Sequence, residues 1–96
     1  MELSIHPVAA KDARKIAGKY AGISEHLVSR FWNELDDALA EIKANPTRQH
    51  FDASGLRRVN LRKFPYHVLF EEHLDVIRVL VVRHDHRNPS YGLRRR

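Results

Sequence analysis

Cysteine is absent from this 96-residue chain, which excludes disulfides and thiolate metal sites and is compatible with a cytoplasmic location. No apolar run approaches the ~18 residues that a membrane span needs, so no membrane partner is expected. The Met1 to Ile5 start has neither a basic n-region nor an apolar h-region, and no export signal is expected from it. Internal repeats and low-complexity tracts are missing too. Lysine runs out early, since Lys63 is the only one after residue 47.

What is present is an ordinary globular balance, 43% hydrophobic and 30% charged, suited to one domain, 1–96, with a single core. At this length only roughly two thirds of the unfolded surface can be buried, and no large internal cavity is expected. Charge is unevenly placed. Residues 1–47 hold 6 Lys+Arg against 7 Asp+Glu, a net of −1, whereas residues 48–96 hold 11 against 5, a net of +6, and ten of those eleven cations are arginine. The guanidinium fork suits phosphate or carboxylate, so the later half predicts an anionic partner, nucleic acid or an acidic protein segment. The plainer reading is a solvated basic face kept for solubility.

The strongest pattern is the run Lys63 to Phe70 followed, after Glu72-His73-Leu74-Asp75, by Val76 to His84. Ile77, Val79 and Val81 fall on one period-two face of the second run and Val76, Leu80 and Val82 on the other, as in a central strand. The polar stretch between the runs closes an antiparallel hairpin, without the Asn-Gly or Asp-Gly that would fix a turn type. Pro65 marks the entry to the first strand, and Tyr66 and Phe70 alternate onto a core face. Upstream, Leu56 to Lys63 alternates imperfectly, as a strand half exposed to water would.

The N-terminal half is helical in period. Leu3 and Ile5 alternate in a short first strand, and Pro7 opens a helix whose apolar positions are Val8, Ala9, Ala13, Ile16, Ala17 and Tyr20, with Lys11, Asp12, Arg14, Lys15 and Lys19 opposite. Ser24 caps a second helix, with Ile23 stapling onto Val28, and Leu27, Phe31, Leu35, Ala38, Leu39 and Ile42 form its stripe until Asn45-Pro46. Trp32 is placed at the margin of that stripe. Thr47 to Gly55 reads as a loop, and the residues after His84 as a loop and tail whose last arginines, Arg94, Arg95 and Arg96, are mobile. The order β-α-α-β-β-β makes an α+β domain with two layers, two antiparallel-packed helices on one face of a mainly antiparallel sheet.

That order, the Arg58-x3-Arg62-Lys63-Phe64-Pro65-Tyr66 run and the closing His84-x-x-Arg87-x-Pro89-x-Tyr91-x-x-Arg94 string resemble the RelE/ParE superfamily of toxins from bacterial type II toxin–antitoxin modules. The resemblance implies a toxin held inactive by a cognate antitoxin in a hetero-oligomer, with either DNA gyrase or the ribosome and its mRNA as target. An acidic, amphipathic antitoxin segment could add a helix over a groove or a strand at an open edge formed by Leu56 to Lys63. No cofactor is implied.

RelE-type members are endoribonucleases, and here His84, Arg87 and Tyr91 are the catalytic candidates, with Tyr91 able to stack on a base or donate a proton. Arg83 and His84 face opposite ways on a strand, which weakens them as a pair on one phosphate. The ending is more similar to ParE-type chains, which implies a gyrase-directed, non-enzymatic inhibitor with Arg58, Arg62, Arg83, Arg87, Tyr91 and Arg94 as target-binding residues. Arg87 could equally pair with Asp85 or fix the tail. A nucleic-acid-binding module without toxicity is the third reading. His84 and His86 have no carboxylate at a spacing that completes a metal set, so no metal is expected.

Overall fold

The computed structural model describes residues 1–96, as a helical hairpin packed on a mixed five-stranded sheet. The strands are β1 (Glu2–Ile5), β2 (His50–Phe51), β3 (Arg57–Asn60), β4 (Tyr66–His73) and β5 (Val76–His84), in the spatial order β1-β5-β4-β3-β2. All neighbours are antiparallel except β1, which runs parallel to β5. The α+β, two-layer expectation is met, with helices α1 (Pro7–Ala21) and α2 (Glu25–Ala44) on one face.

Local chemistry sets the helix ends. Pro7 occupies the first turn of α1, where its missing N–H costs nothing, and the His6 Nδ1 accepts the Val8 amide at 3.1 Å. Ser24 Oγ accepts the Leu27 amide at 3.0 Å to start α2. Ile23, however, is 70% exposed, so the expected staple onto Val28 does not form. Phe31, Leu35, Ala38 and Ile42 bury the inner stripe of α2, and Trp32 packs at its margin. No helix is long and apolar enough to cross a membrane.

The sheet departs from the sequence pattern in four places. His50–Phe51 forms a strand inside the stretch read as a loop, turned back onto β3 by Asp52 to Gly55, where Asp52 Oδ2 accepts the Ser54 amide at 2.9 Å. Two residues are too few to show a period. The open edge therefore belongs to β2, and β3 is shorter than Leu56 to Lys63 because the Leu61 amide bonds back to Tyr66 O at 2.9 Å. The hairpin β4–β5 closes on Leu74 and Asp75 alone, with Leu74 in the left-handed region at φ 57°.

The fourth departure inverts a face. A register shift opposite Leu69/Phe70 leaves Leu80 unpaired, so Val82 joins Ile77 and Val79 under the helices, while Leu80 and Val81 both point to the other side. That second face carries a small core of Leu56, Leu69, Leu80 and Val81, covered by Tyr91 and Leu93 from the tail. The tail is accordingly packed, not loose, and ends in a single 3-10 turn over Leu93–Arg95. Burying such apolar surface contributes roughly 25 cal/mol per Å².

Candidate functional site

The apolar stripe of α1 contains an anion. Asp12 lies between Ala9, Ala13 and Ile16 and is 6% exposed, rather than on the polar face where the sequence reading put it. β1 pairs with β5 only as far as Val79, which leaves the next backbone groups of β5 without a strand partner. Asp12 and the tail supply one. Asp12 Oδ2 accepts the Val82 amide at 3.3 Å, and Arg95 donates to Leu80 O at 2.9 Å and to Asp12 at 2.6 Å. The Tyr91 hydroxyl donates to Asp12 Oδ1 at 2.6 Å. Burial works against the Arg95 charge, but the bond and charge of Asp12 outweigh it and raise the guanidinium pKa. Arg95, expected to be mobile, is thus anchored.

A second polar group sits on the face away from the helices. Arg83 is 5% exposed, and its Nε donates to His67 Nε2 at 2.9 Å. With Nε2 accepting, the His67 proton is on Nδ1 and points at Asp85 Oδ1, 2.8 Å away. Arg58 reaches Asp85 at 3.5 Å and Asp52 at 3.2 Å, and Asp52 lies 3.8 Å from Arg83, which closes a ring of five side chains. Arg83 also donates to the carbonyls of Pro89 and Tyr91, so the ring holds the tail. Burial pushes His67 below the ordinary imidazole value; the Asp85 bond opposes this, and the charges of Arg58 and Arg83 add to it. Burial also lowers Arg83. Burial alone would push the Asp52 carboxyl up, yet bonds from Ser54 and Arg58 and the charge of Arg83 bring it below its usual value.

Between α1 and the end of β5 lies a cleft of about 460 Å³. His84, Arg87 and Tyr91 line it together, joined by Lys15 and Lys19 from α1, with Asp12, Ile16, Tyr66 and Val82 among the other lining residues. The His84 ring meets Tyr66 edge-on at 5.1 Å, and its Nδ1 accepts the His86 amide at 3.0 Å. The Arg87 guanidinium lies over the Tyr91 ring at 4.2 Å, and Arg95 lies over the same ring at 5.0 Å. Arg87 pairs with no carboxylate; Asp85, its expected partner, is taken by His67 and Arg58.

The sequence-derived candidates therefore separate into groups. His84, Arg87 and Tyr91 share the cleft, although the Tyr91 hydroxyl is held by Asp12 and its ring is covered by guanidiniums. Arg83 also lines the cleft, but its guanidinium turns to the face opposite His84, as alternation required, and belongs with Arg58 to the buried ring. Arg62 and Arg94 are exposed, make no ion pair and do not line the cleft. Of the later arginines, Arg57, Arg58, Arg78, Arg83, Arg95 and Arg96 are in ion pairs, so that half of the chain is not one open basic face. No group of three or more His, Asp or Glu side chains is arranged to hold a metal.

Sequence reasoning missed Asp12, Lys15, Lys19 and Asp52. A signal existed for the first: a carboxylate at Ala9 plus three and Ala13 minus one sits on the buried stripe and needs a buried cation. Lys15 and Lys19 showed only as solvated positions on a helix. A family model described as the ParE toxin of type II toxin-antitoxin system, parDE, matches residues 3–89, which takes in His84 and Arg87 but not Tyr91 or Arg94. No curated protein matches the chain.

Proposed function

Since this chain belongs to the ParE toxin family of type II toxin–antitoxin systems, we propose that it arrests bacterial growth by binding DNA gyrase in the cytoplasm, and is held inactive by its cognate antitoxin. The toxin role and the antitoxin partner come with the family. Gyrase as the target is our reading.

One observation supports binding over RNA cleavage: of the groups a metal-free ribonuclease would use for proton transfer, all but the Nε2 side of His84 are already committed. The Tyr91 hydroxyl donates to Asp12, Arg83 is enclosed on the far side of the sheet, and the His84 Nδ1 is occupied by a backbone amide. General acid–base catalysis needs a base and an acid within reach of one reacting phosphate. What remains free around the cleft is Arg87, the two lysines and the Nε2 side of His84, so a single imidazole stands there without the second acid–base partner that cleavage needs. Arg87 is the residue we assign to target contact, with Arg62 and Arg94 as outlying cations.

Purified gyrase supplies the test. The chain should abolish introduction of negative supercoils into relaxed plasmid while leaving ribosome-bound message intact. Position-specific cleavage of that message, with supercoiling unaffected, would replace this reading by the endoribonuclease one. If neither occurs and expression without the antitoxin does not slow growth, the chain is a binding module without toxicity.

A further inference from the structure

The cleft between α1 and the β5–tail junction is a set of donors without an acceptor. Lys15 and Lys19 stand one helical turn apart on one wall, and Arg87 and His84 come from the other. None of the ion pairs in the molecule involves any of these four residues. The one carboxylate in the lining, Asp12, is saturated by Tyr91, Arg95 and the Val82 amide. His84 is a donor as well, because its Nδ1 accepts from His86 and the ring proton is left on Nε2. Elsewhere the packed guanidiniums of β3, β5 and the tail are matched by carboxylates; here three permanent cations face one cavity unmatched.

We propose that this cleft binds a phosphate group, held by Lys15, Lys19, Arg87 and the His84 Nε2–H. Donors arriving from two walls suit a tetrahedral oxyanion with three or four oxygens better than a carboxylate with two. A cavity of about 460 Å³ has room for the phosphate and part of its ester. It offers no stacking face for a base, since Tyr66 is buried and the Tyr91 ring already lies against two guanidiniums, so recognition stops at the phosphate. Arg87 is pre-positioned by its stacking on Tyr91, which reduces the ordering cost of binding. The phosphate can be a free ion or a link of a nucleic-acid backbone. The inference shares Arg87 with the proposed gyrase contact but does not depend on gyrase being the target.

Titration calorimetry and amide chemical-shift mapping on the full chain, at fixed ionic strength and without gyrase, test it with three probes: inorganic phosphate, a short single-stranded oligodeoxynucleotide and a glutamate-rich peptide. Saturable binding of either phosphate probe, with shifts at Lys15, Lys19 and Arg87, is expected; binding of the oligonucleotide alone assigns the source to the diester backbone, and of inorganic phosphate alone to a small ligand. The double variant Lys15→Ala/Lys19→Ala should bind about tenfold or more weakly, as loss of charge-assisted hydrogen bonds implies. Lys43→Ala/Lys63→Ala, away from the cleft, should bind as the parent does. Equal affinity in the Lys15/Lys19 variant overturns the proposal, as does binding of the peptide with neither phosphate probe, or no saturable binding at all. A gyrase assay that fails leaves these outcomes untouched.

Discussion

Asp12 and Arg95, 83 positions apart in the chain, meet at 2.6 Å and together take the place of a missing strand on the free edge of β5. The pair is nearly dry, with side chains 6% and 11% exposed. Its worth lies less in mutual attraction, which desolvation largely offsets, than in the cost of leaving either partner alone.

Asp12→Asn should therefore destabilise the fold by about 3–5 kcal/mol, the usual cost of an unpaired buried charge. The amide would present a donor to Arg95 or to the Val82 N–H, where only acceptors fit. Urea unfolding monitored by circular dichroism should show a lower midpoint at an unchanged slope, with Asp75→Asn, at an exposed turn, as the unaffected control.

His67 predicts how stability responds to acid. Its folded pKa lies below the ordinary value of 6.5, so between the two the unfolded chain binds the proton more readily than the folded one. The stability contributed by the neutral ring is complete above the unfolded pKa and is lost as pH falls below it, by up to about 1.4 kcal/mol per pH unit. The groups facing the ring are Arg58 and Arg83, which disfavour protonation, and Asp85, which favours it, with Asp52 behind them. Melting temperature should fall from pH 7 to pH 5 in the parent and fall less in His67→Gln. An identical slope in the two proteins would mean that another group titrates.

Gly92 carries the tail across the second face at φ +83°, and a Cβ there would stand 2.5 Å from Val81 Cγ2. Both the left-handed backbone and the close approach reject a side chain. Gly92→Ala should cost about 1–3 kcal/mol and, more tellingly, should free the tail locally. Hydrogen exchange at the Leu93 and Arg95 amides, which bond back to Ser90 and Gly92, should quicken before the sheet does.

The parts of the fold legible in the sequence were those with enough residues to show a period. The α2 stripe from Phe31 to Ile42 and the run of β5 needed no tertiary knowledge. His50–Phe51 was too short to register, and one extra residue at Leu80 exchanged the faces of Val81 and Val82, an event that alternation cannot foresee. The site was harder. Arginines counted along the chain gave a basic half, but pairing is decided in space, where Asp12, Asp52, Asp85, Glu71 and Glu72 claim six of the ten. The same blindness hid Lys15 and Lys19, whose significance comes from the strand end and tail brought opposite them.

Arg83 and Arg87, four residues apart and alike on paper, should separate structure from toxicity. Arg83→Ala strips His67 of its donor, leaves Asp52 facing an empty position and releases the carbonyls of Pro89 and Tyr91; a loss of about 3–5 kcal/mol follows for a buried charge network broken on one side. Arg87→Ala removes only an exposed guanidinium stacked on Tyr91, worth about 0.5–1 kcal/mol. Growth after induction without the antitoxin, read beside the unfolding midpoint of each purified variant, distinguishes the roles. The Arg87 variant should stay folded and lose toxicity, whereas the Arg83 variant should lose toxicity only in proportion to its lost stability. An Arg87 variant that is folded and fully toxic would move target contact away from the cleft, toward Arg62 and Arg94.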